Sequence, residues 1–280
     1  MSLPPASRRH WIAAALALAG LPSRSALAAE PPLRLALAPF LSPAALLTAF
    51  KPLREHLERA LQRPVEMLTA RDFASLVESA RLGHYDLVQL PAHLARLAMI
   101  DWKFQMVAAP EEPVQVVVAV KAGGPVRSAA MLKGQAVGML DALSLTATVG
   151  RRWLQEQGLA AEVQVVAQPS INSAMFALDR GEVAAVVAAD TQFAALPLGT
   201  PRGETVLARI GGMSAPIYVA APHMQAAELG AVRAAMVSFT PDATRPATAA
   251  NSRLRPVPDA QLATLDPLVA IVRQALIAPR

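Results

Sequence analysis

The chain has 280 residues, 54% of them hydrophobic, 17% charged and 4% aromatic, with a formal charge of +5 and no cysteine. That length suggests one large or two modest domains with enough apolar material for a packed core, and the composition excludes disorder, collagen and coiled coil. Without cysteine there is no disulfide scaffold, thiol nucleophile, cysteine zinc site or iron–sulfur cluster, although an oxidising compartment remains compatible.

Residues 1–28 read as an export signal. Ser7-Arg8-Arg9 is a basic start, Trp11 to Leu21 an apolar run, and Ala26-Leu27-Ala28 a small-residue cleavage site. The apolar run is about half the roughly 20 residues that a membrane-spanning helix needs. Ser7-Arg8-Arg9-His10-Trp11-Ile12 also resembles the twin-arginine export motif. Removing 1–28 takes away three arginines and no acid, which leaves 23 basic against 21 acidic residues, or +2. The remaining bases are scattered, without aromatic interleaving, so nucleic acid is not an expected partner.

From Leu33 the chain alternates short strand-like runs with helical ones. Leu33 to Ala38 predicts a first strand stopped by Pro39. Residues 43–62 predict a helix kinked at Pro52, and Val65 to Thr69 a second strand. A helix capped by Asp72 ends before Gly83, and Asp86 to Leu90 leads through Pro91 into a helix over 92–99. Val114 to Lys121 is a β-branched run. A second alternating set follows it: a helix near 127–132, a strand 135–140, a helix 145–157, a strand 162–166, a helix 171–180 and a strand 183–188. An extended stretch 217–221 precedes helices over 225–239 and 265–277. The expected class is α/β, two lobes of mixed sheets flanked by helices, with lobe 1 over 29–118 and 212–280 and lobe 2 over 119–211. Two crossover strands would act as a hinge beside a cleft.

In open α/β sheets, ligands collect beyond the carboxyl ends of strands, where helix N-termini present free N–H groups. The leading candidate is Asp141-Ala142-Leu143-Ser144-Leu145-Thr146, a strand end followed by hydroxyl residues at a helix start. Ser144 and Thr146 with the first-turn amides, Leu145 included, would suit an oxyanion, although on the pattern alone plain helix capping is the better account of Ser144. Other junctions place Phe40 and Ser42 after the first strand, His93 after the third, Ser170 and Asn172 before the 171–180 helix, and Asp190 after the strand ending at Ala188. His93 stands where a helix dipole disfavours imidazolium. Packing explains it as readily as ligand contact does, and for Asp190 capping of the next helix is the better account.

These segments carry a resemblance. Leu35-Ala36-Leu37-Ala38-Pro39-Phe40-Leu41-Ser42-Pro43, Pro52-Leu53-Arg54-Glu55-His56-Leu57, Gly83-His84-Tyr85-Asp86-Leu87-Val88, Leu132-Lys133-Gly134-Gln135-Ala136-Val137-Gly138 and the 141–146 loop, in that order, resemble the periplasmic phosphate/phosphite/phosphonate-binding proteins of ABC importers. The resemblance spans most of 33–240. It implies a type II periplasmic-binding-protein fold that closes on a small anion in the periplasm and delivers it to an ABC permease in the inner membrane. It further implies a monomer without cofactor, metal or catalytic activity, and oxyanion contacts at Ser144 and Thr146. Departures accompany it. Ala142 replaces a proline, Ala147 a glycine, Ile171 a histidine, and Ala184 a frequent aspartate. The lost acids argue against an amine-bearing phosphonate and leave open a simpler oxyanion or a non-phosphorus organic anion. A ligand sensor of the same fold that signals to a membrane receptor is the alternative to import. A hydrolase finds no support, for H-E-x-x-H, G-x-S-x-G and S-x-x-K signatures are all missing.

Overall fold

The computed structural model describes residues 30–112 and 114–277, so the expected export signal lies outside the described residues. Two sheets with the same internal order build the chain. The first three strands, β1 (Leu33–Leu37), β2 (Val65–Thr69) and β3 (Leu87–Leu90), are parallel in the order β2-β1-β3. Between them run α1 (Pro43–Leu61) and α2 (Phe73–Arg81), and α3 (Ala92–Trp102) follows β3. The sheet is extended by β10 (Ile217–Ala220), antiparallel to β3, then by β4 (Gln105–Pro110) and the short β11 (Leu254–Arg255). The second sheet repeats the pattern. In it β6 (Ala136–Met139), β7 (Gln164–Ala167) and β8 (Ala185–Ala189) are parallel in the order β7-β6-β8. The antiparallel pair β5 (Val114–Lys121) and β9 (Glu204–Met213) completes it. Each sheet therefore has as its fourth strand, β10 or β5, one that begins where the chain crosses from the other sheet, near 110–114 and 213–217.

Strand and helix positions follow from residue chemistry. The central strands β1 and β3 are buried along almost their whole length, whereas the edge strand β2 is mostly half-exposed. Asp72 caps α2 by accepting from the Ser75 amide at 2.7 Å. Gly83, at φ +78°, ends that segment in a conformation a side chain disfavours. Helix α1 runs unbroken through Pro52. Five elements that periodicity left as loop are regular: β4, the long half-exposed β9, the short β11, the helix Asp259–Ala263, and α6 (Asp190–Ala194), which makes Asp190 a helix's first residue. Strand β9 alternates weakly and is rich in small and charged residues, so only its pairing along all of β5 reveals it. The chain closes with α7 (Ala226–Val237), α8 (Asp259–Ala263) and α9 (Asp266–Ile277). Among the described residues no helix is long and apolar enough to cross a membrane.

In the second sheet, α4 (Leu145–Glu156) lies against β6 and β8 through Gly150. A Cβ at that position would stand 2.8 Å from Val187 Cγ1 and 3.2 Å from Met139 Cε. Gly150→Val is therefore expected to lower stability by about 2 kcal/mol, the cost typical of overpacking, read as a lowered urea midpoint with unchanged slope.

Candidate functional site

The two sheets meet beyond the carboxyl end of β1 on one side and of β6 and β7 on the other. Leu140, Leu143, Leu145 and Ile171 from the second sheet's loops and helices belong to one continuous apolar cluster with Phe40, Leu41 and Leu94 of the first. Direct hydrogen bonds cross the junction. The Ile171 amide donates to the Phe40 carbonyl at 3.0 Å. The Ser42 amide donates to Asn172 Oδ1 at 3.2 Å. The expected cleft is thus a closed junction, with an open groove of about 250 Å³ at its margin between Pro39, Arg71 and Phe73 on one side and Asp141, Gln168 and Pro169 on the other.

The 141–146 loop forms as a polar cradle. Asp141 organises the turn: its Oδ1 accepts from the Leu143 amide at 2.7 Å and its carbonyl from the Ser144 amide at 2.8 Å. Ser144 is the N-cap of α4, its Oγ accepting from the Ala147 amide at 3.1 Å. The same Oγ lies 3.3 Å from Thr146 Oγ1. Both side chains are 2% exposed. Among the described residues, the amides of Leu145 and Thr146 have no protein acceptor. Two free N–H groups at the positive end of a twelve-residue helix, beside two hydroxyls, constitute an anion-attracting arrangement.

The remaining candidates divide by what already occupies them. Ser170 caps α5 (Ile171–Asp179) through the Ser173 amide at 3.1 Å, and its Oγ also meets Ser173 Oγ. Asn172 spans the junction, its oxygen holding Ser42 and its Nδ2 reaching Thr200 Oγ1 at 3.5 Å. Asp190 Oδ1 accepts from the amides of Thr191 at 2.8 Å and Gln115 at 3.2 Å, which ties α6 to β5. The Phe40 ring packs edge-on against Phe50 with centroids 6.3 Å apart, and Phe40 also lines a small cavity with Val114, Ala189 and Met213 of the second sheet. Ser42 precedes α1 without a side-chain cap.

His93, in the first turn of α3, is 2% exposed and neither ring nitrogen has a partner. Burial pushes its pKa down to about 4, so the ring is neutral near pH 7. Four residues earlier, Gln89 is wholly buried on β3 and donates from Nε2 to the Tyr218 hydroxyl at 3.0 Å. Sequence reasoning missed this pair, although a glutamine within the apolar run Leu87–Leu90 was a visible signal. Every buried polar residue described is uncharged.

Comparison with known proteins agrees with this architecture. Residues 35–263 match the family model described as ABC transporter, phosphonate, periplasmic substrate-binding protein. PhnD1 from Prochlorococcus marinus, solved with methylphosphonate, superposes with a TM-score of 0.74 at 11% identity, covering 86% of this chain and 98% of that one. A binding-protein component of an ABC phosphonate transporter (PA3383) from Pseudomonas aeruginosa gives 0.72 at 14% identity, covering 89% of each chain. The aliphatic sulphonate binding protein SsuA from Escherichia coli gives 0.57 at 16% identity, again covering 89% of each chain. The chain matches no curated protein. The expected type II periplasmic-binding-protein fold is therefore the fold observed.

Proposed function

Because the chain belongs to the periplasmic substrate-binding proteins of phosphonate ABC transporters, we propose that it captures a small, amine-free phosphorus oxyanion such as phosphite or methylphosphonate and presents it to an inner-membrane permease. The observation that carries this reading is the cradle of Ser144, Thr146 and the free amides of Leu145 and Thr146, buried where the two sheets meet. Hydrogen bonds to a charged acceptor contribute roughly 1.5–3 kcal/mol each, so several convergent donors bind an anion without a full counter-charge. The uncharged character of the buried polar set fits a ligand with one anionic group and no ammonium, since an ammonium would need a carboxylate partner. The Phe40–Ile171 and Ser42–Asn172 bonds join the lobes directly, so closure and ligand enclosure go together. Residues 1–28 serve as the export leader in this reading. Binding and release, without bond cleavage, are the whole of the chemistry.

The direct test is a thermal-shift series followed by calorimetry. A ligand that binds only the native state stabilises it by RT ln(1 + [L]/Kd), about 2.7 kcal/mol at a hundredfold excess over Kd. Phosphite or methylphosphonate is expected to raise the melting temperature by several degrees, and 2-aminoethylphosphonate to do so less. Indifference to every phosphorus oxyanion at millimolar concentration would remove the proposal.

A further inference from the structure

Two buried side chains flanking the β3–α3 turn carry polar atoms without hydrogen-bond partners. Both ring nitrogens of His93 are unpartnered, and so is Gln89 Oε1. Gln89 and His93 are 0% and 2% exposed and sit on either side of the β3–α3 turn. The other unpartnered buried atoms among the described residues belong to Arg54, Arg63 and Glu204, whose side chains are themselves partly exposed. Native proteins rarely leave such groups unmatched, because a buried polar atom without a partner costs about 1–3 kcal/mol. The turn lies at the carboxyl edge of β3, beside β1, whose following loop reaches α5 across the junction.

The kind of partner follows from chemistry. A neutral imidazole has one nitrogen that donates and one that only accepts, in either tautomer. Burial keeps His93 neutral, so one of its nitrogens always requires a donor. Gln89 adds a second demand: whichever way its carboxamide is turned, bonding to the Tyr218 hydroxyl leaves its other polar atom unmatched. A fully ionised oxyanion offers acceptors only. A singly ionised phosphorus oxyacid carries a P–OH proton as well as anionic oxygens, and so matches an acceptor at one end and amide donors at the other.

We infer that the site selects the proton-bearing monoanion of a phosphorus oxyacid, with His93 accepting the hydrogen bond from its P–OH group, and turns away sulfonates of the same shape and charge. This rests on the oxyanion reading above and adds the residue that discriminates within it. Methanesulfonate is the natural competitor, being a monoanion with no proton to give, and a sulphonate-binding protein shares the fold.

The experiment compares methylphosphonate with methanesulfonate by calorimetry on the full mature chain, at a pH between the two ionisations of methylphosphonate. The wild type is expected to prefer methylphosphonate at least tenfold. His93→Leu, which removes the acceptor, is expected to bring the ratio close to one, while His93→Gln, which keeps an acceptor, retains part of it. A merely structural histidine would weaken both ligands together and leave the ratio unmoved. Equal wild-type affinities would overturn the discrimination and leave the oxyanion reading standing, and the wild-type measurement does so even if the leucine variant fails to fold. If the wild type binds neither ligand, both the discrimination and the oxyanion reading fall.

Discussion

Changing Ser144 to Ala and Thr146 to Val together is expected to weaken methylphosphonate binding at least tenfold if one hydroxyl touches the anion, and at least a hundredfold if both do. The figure follows from roughly 1.5–3 kcal/mol for each hydrogen bond to a charged acceptor, where 1.4 kcal/mol is a factor of ten. The two substitutions separate by their effect on the empty protein. Ser144 caps α4 through the Ala147 amide, so Ser144→Ala costs about 1 kcal/mol of stability whatever it does to binding. Thr146 caps nothing; its hydroxyl meets only Ser144 Oγ, and valine preserves its shape. Thr146→Val alone should therefore lower affinity with a smaller change in melting temperature. Calorimetry beside a urea melt reads both quantities, and unchanged affinity in the double variant would remove this loop from the site.

The second large effect concerns pH. His93 has a folded-state pKa of about 4 against an ordinary 6.5, because burial penalises the imidazolium. The unfolded chain therefore takes up a proton at higher pH than the folded one does. Above about 6.5 both states are neutral and stability is complete. As pH falls from 6.5 towards 4 the unfolded state is favoured progressively, and below 4 the loss levels off at about 3 kcal/mol. Urea midpoints measured down this range should fall smoothly. His93→Leu should flatten most of the slope, and a slope unchanged in that variant would show that the ring is hydrated. A separate loss belongs to Asp86. Despite partial burial its carboxyl is held at about 2, by the hydrogen bonds and charge of Arg34 and by His223. A depressed carboxyl stabilises the fold above its unfolded value near 3.8, and that contribution disappears only as pH falls from there towards 2. The two windows barely overlap, so one acid titration resolves them.

Much of the architecture was readable because it rests on local rules. The β1–α1–β2–α2–β3–α3 series declared itself through strand-length apolar runs, an Asp72 cap and a glycine stop at Gly83, all governed by neighbours a few residues away. The 141–146 cradle was readable for the same reason, since Asp141, Ser144 and Thr146 bond within one turn. Strand β9 was not, because half-exposed antiparallel strands take their order from a distant partner and leave little alternation of their own. Gln89 stood out as a polar residue in an apolar run, but its partner Tyr218 lies 129 positions further along the chain, beyond the reach of any local pattern.

The chain's residues by themselves determined the class of fold, the order of its parallel β–α units and the position of one capped, hydroxyl-bearing helix start, for each depends on periodicity, turn chemistry and capping over short distances. Only the tertiary structure decided what the candidate side chains do. Asn172 and Asp190 proved to be engaged with backbone amides, Phe40 turned its ring into the core, and His93 and Gln89 were left buried with unmatched atoms. Burial and hydrogen-bond satisfaction arise from residues more than a hundred positions apart, Ser42 with Asn172 and Gln89 with Tyr218, and no local pattern encodes those meetings.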